Sequence, residues 1–80
     1  MEEEMQLLKN FEEDSRWFHD NLDLLRKQEY TGKIVAVKGG KVISSGENMD
    51  EVIKVLESKK ETPQFIFIET VYPEGFTLLL

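Results

Sequence analysis

Tyr30–Glu51 reads YTGKIVAVKGGKVISSGENMDE, and these residues decide the fold. Lys33–Lys38 (KIVAVK) and Lys41–Ser45 (KVISS) are short runs of β-formers on either side of Gly39-Gly40. Two adjacent glycines supply the positive φ angles that a two-residue type I′ turn requires, so the block predicts a β-hairpin. The turn then sets the register. Lys38 is expected opposite Lys41, Val37 opposite Val42, Ala36 opposite Ile43 and Val35 opposite Ser44. Val35, Val37 and Val42 share one face in that register, while Ile34, Ala36 and Ile43 share the other. A first strand that is apolar on both sides belongs in the middle of a sheet, and either the chain itself or a partner must cover its second face.

Working outward, Asn48 with Glu51 three residues on predicts a capped helix start, and Met49, Val52, Ile53 and Leu56 give one apolar face up to Lys59-Lys60. Thr62-Pro63 interrupts. Gln64–Val71 (QFIFIETV) predicts a strand apolar at nearly every position, and Tyr72-Pro73-Glu74-Gly75 a turn. Phe76–Leu80 (FTLLL) would return as a last strand. Upstream, residues 2–28 contain no Gly or Pro, and Leu8, Phe11, Phe18, Leu22 and Leu25 fall on one helical face. Asp14 and Ser15 interrupt that stripe and are good N-cap residues, so a helix joint is conceivable there, although one continuous or mildly bent helix is expected. The expected fold is α+β in the order α-β-β-α-β-β. Its four-stranded, mostly antiparallel sheet would have strand order 2-1-3-4 and its helices packed on one face.

The chain has 80 residues, enough for one domain with a thin core, and no cysteine to staple it. Self-association is therefore a reasonable way to bury more apolar surface. Apolar runs of four residues or fewer are far short of the ~20 residues of a membrane span, and the start MEEEMQLLKN is acidic where a secretion signal is basic, so a cytoplasmic protein is expected. Residues 1–30 carry net charge −5, residues 31–60 carry +2 and residues 61–80 carry −3. Without a basic stripe there is no means of releasing counterions from a phosphate backbone, which argues against nucleic-acid binding and leaves a basic protein partner open.

Several of these residues together carry a resemblance. They are Trp17 with Asn21 in a helix, Tyr30-x-Gly32-Lys33-x-Val35-Ala36-Val37, Gly40-Lys41-Val42, Ser45-Gly46, Ile68-Glu69 and Pro73-x-Gly75. The pattern resembles a family of short prokaryotic, mainly archaeal, proteins of unknown function over about residues 15–75. The resemblance implies a compact domain and brings no activity, cofactor or functional residue. It makes residues 1–13 a helical extension of a single domain whose compact α+β core is residues 14–80.

No set of side chains makes a catalytic, cofactor or metal constellation. His19 sits among Arg16, Asp20 and Asp23 without the converging partners that a base or metal ligand needs, and reads as solvated. Ser44-Ser45-Gly46 has neither the Lys-Ser/Thr of a phosphate loop nor a His-acid pair, and reads as a strand exit. Trp17 is an interface anchor or core packing. Lys38 and Lys41, opposed across the turn, either meet carboxylates of a partner or of a second copy's N-terminal helix or splay into water. Phe76 to Leu80 is an apolar strand without gatekeeping charge and needs cover. The expected function is a non-enzymatic protein–protein interaction module, homodimeric or bound to a basic partner, with contacts at Leu8, Phe11, Phe18, Leu22, Lys38, Lys41, Phe76 and Leu78. The alternative is a small-ligand-binding or catalytic domain using Tyr30, Tyr72 or His19.

Overall fold

The computed structural model describes residues 2–73. It is α+β, with two helices, α1 (Glu2–Asp20) and α2 (Leu22–Lys27), then strands β1 (Ile34–Val37) and β2 (Val42–Gly46), helix α3 (Met49–Ser58) and strand β3 (Phe67–Thr70). The hairpin forms as its glycines demand: Gly39 and Gly40 have φ of 62° and 72°, and Lys38 N–H donates to the Lys41 carbonyl at 2.9 Å. β1 is central, paired antiparallel with β2 on one side and with β3 on the other, in the order β2-β1-β3.

Three expectations about the sheet are corrected. The first concerns strand number: the described residues form a three-stranded sheet, and the expected fourth strand, Phe76–Leu80, lies outside them. Pairing ends at Val71, whose N–H donates to the Lys33 carbonyl at 2.9 Å, and the next carbonyl, that of Tyr72, is taken by Arg26 Nε at 2.8 Å. That bond ties Tyr72 to α2. Pro63–Phe65 also shortens the third strand, because it winds into a 3-10 turn with Phe65 N–H on the Thr62 carbonyl at 3.0 Å.

The second correction is that the helices occupy both faces. Phe18 and Leu25 from α1 and α2 pack with Val35, Val37, Phe67 and Val71 on one side. Val52 and Leu56 from α3 pack with Ala36 and Ile66 on the other, against Ile34, Ile43 and Ile68. A central strand that is apolar on both sides thus finds both covers within its own chain, and Val35, Ala36 and Val37 are fully buried. Burying a Leu or Val of this kind contributes about 1.5–3 kcal/mol, so each layer has only a few such anchors.

The third is a register shift. Val37 does pair with Val42, but Ala36 pairs with Ser44 and Val35 with Ser45, so Ile43 is an extra residue in β2. This bulge turns Ser44 inward to α3, where its buried hydroxyl donates to the Val52 carbonyl at 3.1 Å. The Ile43 carbonyl accepts from Lys59 Nζ at the far end of α3. Turn chemistry alone therefore misplaces every pair beyond Val42 by one residue.

As expected, α1 runs through Asp14 and Ser15 without interruption; the break comes further on, at Asn21. There the side-chain amide donates to the Trp17 carbonyl at 2.8 Å, an acceptor already bonded to Asn21 N–H at 2.9 Å. Such local side-chain bonding competes with regular helix, and the ladder resumes with Leu25 N–H on the Asn21 carbonyl at 2.9 Å. At the start of α3, Asn48 Oδ1 accepts from Glu51 N–H at 2.9 Å, while Glu51 Oε2 reaches back to Glu47 N–H at 2.8 Å. This is a capping box with its return arm one residue outside the cap.

Candidate functional site

The candidate contact residues gather on three parts of the surface. The first is the outer flank of α1. Every residue from 5 to 13 is exposed, including Met5 at 72%, Leu8 at 65% and Phe11 at 44%. Leu8 and Phe11 continue the stripe that buries Phe18 at 2% further along, so one helix has a committed half and an uncommitted half. Phe11 marks the boundary, with its ring standing edge-on to Phe67 at 5.3 Å between centroids.

The second lies beside that flank. Among the described residues β3 is an edge strand, and between it and the end of α1 is a shallow depression of about 270 Å³ lined by Phe18, His19, Leu22, Glu69, Thr70 and Tyr72. Glu69 pairs with Val35 and so points to the α1 side, and its Oε1 accepts from Thr70 N–H at 3.0 Å. Exposed His19 has Nδ1 2.8 Å from the Ser15 carbonyl, which can only accept, so Nδ1 carries the proton.

The third is a groove of about 380 Å³ between α1, the hairpin turn and the chain after α3, with Leu7, Asn10, Asp14 and Phe65 in its walls. Lys38 and Glu61 close across it as an ion pair of 2.8 Å. Among the described residues no group of three or more His, Asp or Glu is placed to hold a metal ion, and no buried side-chain polar atom lacks a partner.

The residues singled out from sequence separate accordingly. Leu8 and Phe11 are exposed together on α1, whereas Phe18 belongs to the chain's own core and Leu22 packs against it. Lys38 finds its acidic neighbour in Glu61 of the same chain, and Lys41 is exposed. Phe76 and Leu78 lie outside the described residues. Trp17 and Tyr30 pack against the core from its margin. Sequence reasoning missed Glu69, because a strand that is apolar at nearly every position reads as interior; the one signal was the acid interrupting it.

No helix among the described residues is long and apolar enough to cross a membrane. No curated protein and no solved structure matches the chain. A family model does, and its match begins at Leu25, leaving α1 with Trp17 and Asn21 outside while taking in the hairpin, α3 and β3. Matched over residues 25–71, more than half of its length, the chain belongs to the family of unknown function DUF5678.

Proposed function

We propose that the chain is a non-enzymatic protein–protein interaction module whose contact surface is the outer flank of α1, taking a second copy or a basic partner. The observation that carries this reading is the exposure of Met5, Leu8 and Phe11 on successive turns of a helix whose later turns are core. Contiguous apolar surface of this kind is costly in water and marks contact sites. Helix-in-groove recognition uses residues at such i, i+3 spacing as anchors. The −5 charge of residues 1–30 selects against nucleic acid and favours a basic protein surface.

The test is Leu8→Glu. Leu8 contributes little to the chain's own packing, so the variant should melt with the parent, within about 0.5 kcal/mol. Light scattering across concentration reads a second copy as a dimer that Leu8→Glu converts to a monomer. A basic partner is read as a chain that co-purifies with the parent and is lost from the variant. A parent that stays monomeric, and whose co-purifying proteins are unchanged by Leu8→Glu, sinks the reading.

A further inference from the structure

We propose that the groove between α1 and the turn following α3 binds a free α-amino acid with a large apolar side chain, taken as its zwitterion. This site is separate from the α1 flank, because Leu7 and Glu13 line the groove and Met5 and Leu8 do not. It opens at the hairpin tip, where β3 begins, whereas the described chain leaves the sheet from the other end, where Tyr72 is tied to Arg26. Its volume is about 380 Å³. Small-molecule sites run from about 300 to 1,000 Å³, with apolar walls and a few polar groups that fix orientation.

The charges that remain after the chain's own pairings name the ligand. Of the five charged side chains in the walls, Lys38 and Glu61 pair with each other at 2.8 Å, and Asp14 accepts from Gly40 N–H at 3.3 Å. Glu13 and Lys60 are left, an acid on α1 and a base on the opposite wall, and neither has an ion pair among the described residues. Lys60 holds a left-handed backbone, with φ of 60°, which glycine would adopt more easily, so the groove keeps a lysine at a cost in stability. Beside it Thr62 stands at the N-cap of the 3-10 turn, with a hydroxyl that makes no capping bond. The rest of the wall is apolar, with Leu7 37% and Phe65 52% exposed. A ligand that meets all of these features carries one positive charge, one negative charge and an apolar body. A free α-amino acid does so in few atoms, with its ammonium on Glu13, its carboxylate on Lys60 and the Thr62 hydroxyl, and its side chain on Leu7 and Phe65. A purely anionic ligand would face Glu13 and a purely cationic one Lys60. Inside a polypeptide the same residue loses both charges to amide bonds, so a protein segment fits these walls less well.

The probe is L-phenylalanine, titrated into the ¹⁵N-labelled full chain and followed by amide shifts. Saturable shifts are expected at Gly39, Glu61 and Phe65, with a dissociation constant of about 0.1–1 mM for a ligand of this size. Phenylpropionate lacks the ammonium and phenylethylamine lacks the carboxylate, and each should bind about fivefold more weakly. Two variants divide the charges. Glu13→Gln should weaken phenylalanine about fivefold without weakening phenylpropionate, and Lys60→Gln should weaken phenylalanine about fivefold without weakening phenylethylamine. Both residues are exposed, so both variants should melt close to the parent. The proposal is overturned by shifts that spare Gly39 and Phe65, by equal binding of the three compounds, or by variants that bind phenylalanine as the parent does. Because the full chain is used, a groove already filled by residues outside the described ones gives no saturable shift, and that result overturns it as well.

Discussion

Asp14 Oδ1, in the middle of α1, accepts a hydrogen bond from the backbone N–H of Gly40 at 3.3 Å, twenty-six residues away at the tip of the hairpin. Asp14 is itself buried, and Trp17, one turn on, lies against the same turn, 3.6 Å from where a Gly40 side chain would begin. An acid that breaks the apolar stripe therefore ties the helix to the tip of the hairpin. Asp14→Ala removes the acceptor from a partly buried donor and should cost about 1–2 kcal/mol, read as a lower urea midpoint with unchanged slope. Asp14→Asn, which retains an oxygen, should cost less. If both variants match the parent, the contact contributes nothing.

Gly46 ends β2 where α3 begins to cross it. A Cβ added there would lie 2.7 Å from Glu51 Cβ and 3.3 Å from Val52 N. Neither neighbour is the free end of a flexible chain, so Gly46→Ala must push strand and helix apart. Overpacking of this kind costs about 1–3 kcal/mol. The cost should persist in a Glu51→Ala background, because the Val52 backbone remains in place. A thermal midpoint equal to the parent's would show that the strand–helix junction is looser than this.

The hairpin, its turn and the capped start of α3 were legible in the sequence because local chemistry dictates each of them: Gly39-Gly40 for the turn, Asn48 and Glu51 for the cap. The Ile43 bulge was not, because it is stabilised by Lys59 and Val52, partners 16 and 8 residues away. The second helical layer was half legible: β1 demanded cover on both faces, but nothing local says whether α3 or another chain supplies it. The candidate site divides the same way. The stripe through Leu8, Phe11 and Phe18 is visible as a period, yet only packing reveals that Phe18 is consumed by the core and Leu8 is not. Glu69 stands out only once the depression between β3 and α1 is known.

Lys38 and Glu61 meet at 2.8 Å, with the lysine side chain 54% exposed and the glutamate 27%. Coulomb attraction is weakened by water at such a site, so a double-mutant cycle with Lys38→Met and Glu61→Gln should return a coupling of about 0.2–1 kcal/mol. At roughly 1 M salt, where the Debye length is about 3 Å, most of that coupling should vanish. A coupling that survives high salt indicates that the pair contributes through packing of the lysine stem across the groove instead of through charge.

Two helices end on side chains where glycine is the easy residue. Glu29 follows α2 with φ of 71°, and Lys60 follows α3 with φ of 60°. At both places the residue after it bonds back across the last turn: Tyr30 N–H to the Leu25 carbonyl at 3.2 Å, and Glu61 N–H to the Leu56 carbonyl at 2.9 Å. At Lys60 the second bond of the motif is present too, its own N–H on the Glu57 carbonyl at 3.0 Å. A left-handed conformation costs an L-residue about 1–2 kcal/mol, part of which glycine gives back through the greater freedom of the unfolded chain. Lys60→Gly and Glu29→Gly should therefore each stabilise by about 0.5–1 kcal/mol, raising the urea midpoint. The two ends share no partner, so the double variant should show nearly the sum. A loss of stability at either position means that its side chain makes a contact worth more than the strain.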